Sequence, residues 1–215
     1  MFTQVPLFTS GKEGYHTFRI PALAVSARGT LLAFCEGRVE SSSDWGNIDI
    51  VLKRSLDHGQ TWQPIQVIVD ADQDTAGNPT PVVDRDTGTI WLPFTRNLAQ
   101  GPETMIVEGK APRTVWLTWS EDDGETWAEP VEITHDVKFP NWTWYATGPG
   151  HGIQLANGRL VVPCDHVLGT TPEYLESGWH ALPGFYAHNG HAHIIYSDDH
   201  GKTWQTGGIA QSGTN

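Results

Sequence analysis

One octapeptide occurs three times in this chain: SLDHGQTW over Ser55–Trp62, SEDDGETW over Ser120–Trp127 and SDDHGKTW over Ser197–Trp204. The shared form is S-x-D-x-G-x-T-W, and the copies start 65 and then 77 residues apart. Self-similarity at such a period marks a repeat architecture. Each position has a physical use in a hairpin turn. Asp57, Asp122 and Asp199 can accept hydrogen bonds from the backbone N–H groups of their own turns. The Gly two residues later supplies a positive φ without steric cost. The Thr-Trp pair opens the next strand, and the indole brings a large apolar area to bury. On this argument the three aspartates are structural.

Each copy follows a strand-like run, DIVLKRS, TVWLTWS or AHIIYS, with a further apolar run upstream, TLLAFCE, TIWLPFT or RLVVPCD. Several short strands and one signature turn per repeat predict propeller blades. The expectation is an all-β single domain over 1–215, built of three four-stranded antiparallel blades. They cover about 18–70, 77–135 and 146–210, with each signature turn on a blade's outer rim, away from the binding face. The 23 Gly and 14 Pro suit this turn-rich reading better than a helical bundle. The stretches 98–113 and 169–189 read as long loops, where a rigid scaffold often carries binding residues.

The net charge of −12 argues against a nucleic-acid partner, which needs a basic surface. An anionic small substrate is compatible with it if a few arginines focus positive potential in a cleft. Cys35 and Cys164 sit in apolar runs and read as buried thiols rather than a disulfide. Residues 1–21 lack a basic start followed by an apolar core, so no signal peptide is visible. No apolar run approaches a membrane span. The chain reads as soluble, cytoplasmic as written, with export through a trimmed signal left open.

Two further motifs narrow the reading. Phe18-Arg19-Ile20-Pro21 resembles the FRIP motif of exo-α-sialidases, and the octapeptide resembles their Asp box. The segment AFCEGRVESSSDWGNIDIVLKRS, Ala33–Ser55, resembles the sialidase stretch carrying a second arginine and then the catalytic aspartate. TGPGHGIQL at Thr147–Leu155 continues the likeness, which runs over nearly the whole chain. The resemblance implies a sialidase-type six-bladed propeller, of which this chain matches the N-terminal half. It implies hydrolysis of terminal sialic acids on glycoconjugates. Arg19 would be the first arginine clamping the substrate carboxylate, Arg38 would lie beside it, and Asp44 would be the acid/base protonating the leaving oxygen. A planar guanidinium fork suits a carboxylate, and a carboxyl group suits that proton transfer. The bland alternatives are a surface ion pair for Arg19, pairing with Glu36 or Glu40 for Arg38, and a solvated turn for Asp44.

Trp142, Trp144 and Tyr145 are candidates for lining the pocket around the sugar's N-acetyl or glycerol arm, with core packing as the alternative. His188, His191 and His193 invite a metal reading, but sialidase chemistry of this type uses neither metal nor cofactor, and none is expected. The resemblance further implies a tyrosine nucleophile, an assisting glutamate and two more clamp arginines, which no segment up to Asn215 matches. Three readings follow: a fragment of a longer enzyme, a short form that assembles as a homodimer completing the propeller, or a sialic-acid-binding module without hydrolysis.

Overall fold

The computed structural model describes residues 4–169 and 190–210. It is built of three successive antiparallel meanders. The first comprises β1 (Thr17–Val25), β2 (Leu31–Arg38), β3 (Ile48–Ser55) and β4 (Gln66–Val69), each paired with the one before. In the second, β5 (Thr75–Gly77) and β6 (Val82–Val83) both pair with β7 (Ile90–Asn97), followed by β8 (Arg113–Ser120) and β9 (Val131–Glu132). In the third, β10 (Trp142–Thr147) and β11 (Ile153–Gln154) pair with β12 (Leu160–Leu168), then β13 (Gly190–Ser197) and β14 (Gln205–Ile209). A single parallel pairing, Ile48 with Thr75, joins the first two meanders into one sheet. Among the described residues helix is confined to α1 (Glu103–Val107) and α2 (Thr134–Val137), and no helix there is long and apolar enough to cross a membrane.

Strand alternation places the core in layers between meanders. Leu32 and Phe34 of β2 and Ile50 and Leu52 of β3 pack against Ile90, Leu92 and Phe94 of β7. The other face of β7 turns Trp91 into a second layer, with Val115, Leu117, Tyr145, Leu160, Val162 and Ile195. With a layer on each face, β7 reads as the nearly unbroken apolar run IWLPF, as a strand buried on both faces does. Cys35 and Cys164 are both buried free thiols.

The three octapeptides fold alike. The Ser hydroxyl donates to the Asp Oδ1 at 2.9, 2.9 and 2.8 Å. The same Oδ1 accepts the Thr backbone N–H at 2.8–2.9 Å, while Oδ2 accepts the Thr hydroxyl. These bonds hold the Asp57 and Asp122 carboxyls down at about 2: for Asp57 the Thr61 bonds dominate, and for Asp122 they outweigh burial. The sequence reading misses that two consecutive residues, not one, are left-handed: His58–Gly59, Asp123–Gly124 and His200–Gly201. It also places the tryptophans too late, because each Thr-Trp pair precedes its strand rather than opening it. Gly201 has φ +86°, and a Cβ there would clash with the Trp91 ring. Gly201→Ala is expected to lower stability by about 2–4 kcal/mol, from overpacking and left-handed strain together. Urea titration checks this, and an unchanged midpoint would contradict the packing described.

A buried imidazole pair lies inside the third meander. His166 Nδ1 and His193 Nδ1 are 3.0 Å apart, and His193 Nε2 is 3.0 Å from the Tyr145 hydroxyl. Only one hydrogen fits between the two Nδ1 atoms. Burial pushes His166 down to about 3, helped by the neighbouring histidines, and burial pushes His193 down to about 4. Both lie below the ordinary 6.5, so the unfolded chain binds the extra protons first. Stability is therefore full above pH 6.5 and falls as the pH drops through 4. Urea midpoints at pH 7, 5 and 4 should fall in that order, and His193→Gln should flatten the slope.

Candidate functional site

The open cleft of about 460 Å³ lies at the ends of β2 and β8 opposite to the Asp-box turns. Those turns start at Ser55 and Ser120, where β3 and β8 end, whereas Arg38 closes β2 and Arg113 opens β8. The cleft is lined by Arg19, Glu36, Arg38, Asp44, Asn78 and Arg113, among others.

Arg19 is aimed by a bulge. β1 pairs Arg19 with Glu36 and Ala22 with Phe34, so β1 carries one extra residue between them. Ile20 absorbs it with φ +55°, a left-handed conformation that a β-branched residue rarely takes. Such strain persists only where surrounding structure holds it, and functional sites are where it collects. Pro21, with no N–H to donate, fits a bulge. The Cys35 thiol donates to the Arg19 carbonyl at 3.0 Å beneath the bulge.

Arg38 shares one face of β2 with Leu32, Phe34 and Glu36, so the core stripe runs directly into the cleft. Its side chain is only 3% exposed and every nitrogen is engaged. Nη2 and Nε donate to Glu36 Oε2 at 2.6 and 3.1 Å, Nη1 donates to the Ser42 and Ser43 carbonyls, and Nη2 meets Asp44 Oδ1 at 2.8 Å. Burial alone would lower its basicity, but Glu36 and Asp44 more than offset that and raise its pKa above the ordinary value. Glu36 Oε1 accepts the Asn78 backbone N–H at 2.9 Å, which needs Gly77, because a Cβ there would press on that oxygen.

Asp44 sits at the rim with a side chain 45% exposed, and its Oδ1 lies 2.6 Å from Arg19 Nη1. Two guanidinium groups therefore converge on one carboxylate oxygen, although 19 residues separate the arginines. The pairing of Arg38 with Glu36, named as its bland alternative, is present together with the cleft position rather than instead of it.

On the far wall, Arg113 donates from Nε to the Tyr145 carbonyl at 2.6 Å and from Nη2 to Asn78 Oδ1 at 2.6 Å, and lies over the Trp144 ring. Trp144 Nε1 donates to Glu103 Oε1 at 3.3 Å, and Glu103 opens α1, a short helix within the stretch 98–113 that the sequence reading gives as a long loop. Loop 169–189 and His188 lie outside the described residues apart from Gly169. Of the three aromatic candidates only Trp144 lines the cleft. Trp142 stacks on His166 with ring centroids 3.5 Å apart, and Tyr145 is fully buried in the same core layer. A register shift between Trp142 and Trp144 is the cause, because it turns Trp142 to the face of Tyr145. Sequence reading passes over Asn78, Glu103, Arg113 and Asp165. No motif marks them, and only the length of the stretch 98–113, which holds Glu103 and Arg113, gives a signal.

Asp84, Asp86 and His200 bring three ligand-type atoms within 4.8 Å of one another. Gln154 Nε2 donates to both carboxylates and His200 Nδ1 meets Asp84 Oδ2, so the group is a hydrogen-bonded knot between the second and third meanders.

A family described as the BNR repeat-like domain matches residues 29–215, and the exo-alpha-sialidase of Aspergillus fumigatus is 38% identical over 169 residues. The chain belongs to the sialidase family. The Aspergillus match covers 70% of this sialidase-family chain and 41% of the fungal protein. Sialidase-3 of Bos taurus is 35% identical over 213 residues, 94% of this chain and 48% of the bovine one. The chain thus spans less than half the length of these relatives. Among solved structures, the Hadza microbial sialidase Hz136 superposes with a TM-score of 0.79 at 30% identity, over 94% of this chain and 39% of that one. Trypanosoma rangeli sialidase in complex with sialic acid gives a TM-score of 0.70 at 23% identity, over 93% and 31%, a likeness of fold.

Proposed function

We propose that this chain carries the front part of an exo-α-sialidase site, acting on terminal sialic acids of glycoconjugates. The observation that carries the reading is the convergence of Arg19 and Arg38 on Asp44 in one cleft. An exposed guanidinium already holding a carboxylate oxygen at 2.6 Å is chemically suited to a substrate carboxylate. In this reading the sialic-acid carboxylate replaces Asp44 at Arg19, with Arg38 beside it. The freed Asp44 then turns to the glycosidic oxygen as acid/base. Trp144 is the proposed neighbour for the sugar's side arm. Trp142 and Tyr145 belong to the core layer instead, and Trp144 packs with Ile106, Val107, Ala146 and Val167.

Saturation-transfer NMR with α-2,3-sialyllactose tests binding, and release of 4-methylumbelliferone from its α-sialoside tests turnover. Transfer to the sialic-acid protons supports the reading; transfer absent, or equal for plain lactose, would sink it. Transfer without release would favour a sialic-acid-binding module.

The finer architecture belongs to the same reading. Three meanders of four, five and five strands, in each of which the strand before the last ends in an Asp-box turn, support a reading as three blades of a sialidase propeller over about 18–70, 77–135 and 146–210. The end strands expose Leu23, Val25 and Ile209. Exposed apolar edges favour association, and we propose that these 215 residues by themselves form a homodimer in solution.

A further inference from the structure

Trp45 follows Asp44 directly, at the rim of the cleft. It is 41% exposed, and it is the one exposed tryptophan among the described residues. An exposed apolar side chain needs no explanation by itself. Trp45 differs in what holds it and in what it stands beside.

The backbone around it is pinned on both sides. Before it, Arg38 Nη1 donates to the Ser42 and Ser43 carbonyls at 2.7 and 2.8 Å. Asp44 is held by Arg19 and Arg38. After it, the Gly46 carbonyl accepts the Thr75 hydroxyl at 2.9 Å, and the Asn47 carbonyl accepts the Val39 N–H at 3.1 Å. Gly46 has φ +109°, a turn that a residue with a Cβ resists. Thr75 opens β5 and lines the cleft, so the segment is tied across the joint of the first two meanders. A ring carried on such a backbone is already ordered, and a ligand gains more from a contact it need not order first.

What Trp45 stands beside follows from the chemistry of its neighbour. An acid that protonates a glycosidic oxygen lies within about 3 Å of it. That oxygen joins the sialic acid to the next sugar, so the next ring begins one bond beyond the reach of Asp44. Adjacent Cα atoms are only about 3.8 Å apart, which sets Trp45 on the side where that sugar leaves the cleft. One face of a pyranose presents C–H groups, and the negative face of an indole attracts them.

We propose that Trp45 is the platform for the sugar that follows sialic acid, an uncharged hexose such as galactose, packed against the indole face. The inference rests on the sialidase reading above and deepens it. That reading names residues for the sialic acid alone, and Trp45 adds the leaving-group side as a specificity-determining residue.

The test compares α-2,3-sialyllactose with the α-methyl glycoside of sialic acid, which has the acidic sugar and lacks the next ring. NMR titration and saturation transfer are run on the 215-residue chain and on Trp45→Ala. The parent is expected to bind sialyllactose about 5- to 10-fold more tightly than the methyl glycoside, the size of one aromatic contact. It should also pass saturation to the galactose protons. Trp45→Ala should lose that advantage and the galactose transfer together, and still bind the methyl glycoside as the parent does. A variant that keeps the advantage overturns the proposal. So does an equal loss for the two ligands, which would make the ring a support for Asp44 instead. Should Trp45→Ala fail to fold, Trp45→Gln takes its place with the same expected losses. A parent that binds both ligands alike, without transfer to galactose, overturns the platform and spares the sialic-acid reading. A parent that binds neither overturns both.

Discussion

Arg19→Ala is expected to weaken binding of a sialic-acid carboxylate by roughly 10- to 150-fold while leaving the fold intact. The magnitude follows from a charge-assisted hydrogen bond, about 1.5–3 kcal/mol. The sparing of the fold follows from position. The Arg19 side chain is 46% exposed, and its described side-chain partner is Asp44, itself 45% exposed. Exposed ion pairs contribute at most about 1 kcal/mol to stability. Titration of sialyllactose by NMR, with a urea melt of the same sample, separates the two effects. Unchanged affinity would remove Arg19 from the proposed clamp, and a large loss of stability would mean that the bulge at Ile20 depends on the guanidinium.

Arg38→Ala should do the reverse and strike the fold first. Its side chain is 3% exposed and Glu36 is 5% exposed, so the variant leaves a buried carboxylate with only the Asn78 N–H. Breaking one side of a buried pair typically costs about 3–5 kcal/mol. It also frees the Ser42 and Ser43 carbonyls, which anchor the segment leading to Asp44. Arg38→Lys should recover only part of this, because a single ammonium cannot span Glu36, both carbonyls and Asp44. Replacing the pair together, Glu36→Leu with Arg38→Met, should restore most of the stability and none of the sialoside binding. If Arg38→Ala melts like the parent, the buried network does not hold the cleft. If the double variant still binds normally, Arg38 is a scaffold residue alone.

The two arginines illustrate what a sequence reveals. Both were legible from local motifs, Arg19 in FRIP and Arg38 six residues before Asp44, yet nothing local distinguishes the exposed guanidinium from the buried one. The bulge at Ile20–Pro21 brings Arg19 onto the face of Glu36 and Arg38, so the difference is one of strand position: Arg19 stands on β1 at the sheet edge, whereas Arg38 stands on β2, flanked by β1 and β3. Trp142, Trp144 and Tyr145 make the same point. Adjacent in sequence and alike in chemistry, they are divided by one irregularity of register into a single cleft residue and two core residues.

By itself the sequence determined the all-β class, the three Asp-box turns and the strand pairs around them. Each of these is a local matter of turn chemistry and period-two alternation, complete within about ten residues. Only the tertiary structure decided that Asn78, Glu103 and Arg113 share a cleft with Arg19, because they come from the other side of it and are brought there by the stacking of successive meanders. It also decided that the Asp-box turns are docking elements. Their fourth residues, Asp123 and His200, find partners 93 and 116 residues away, at Thr30 and Asp84. No local pattern encodes contacts of that range; they exist because burying Trp127 and Trp204 draws each turn onto the meander before it.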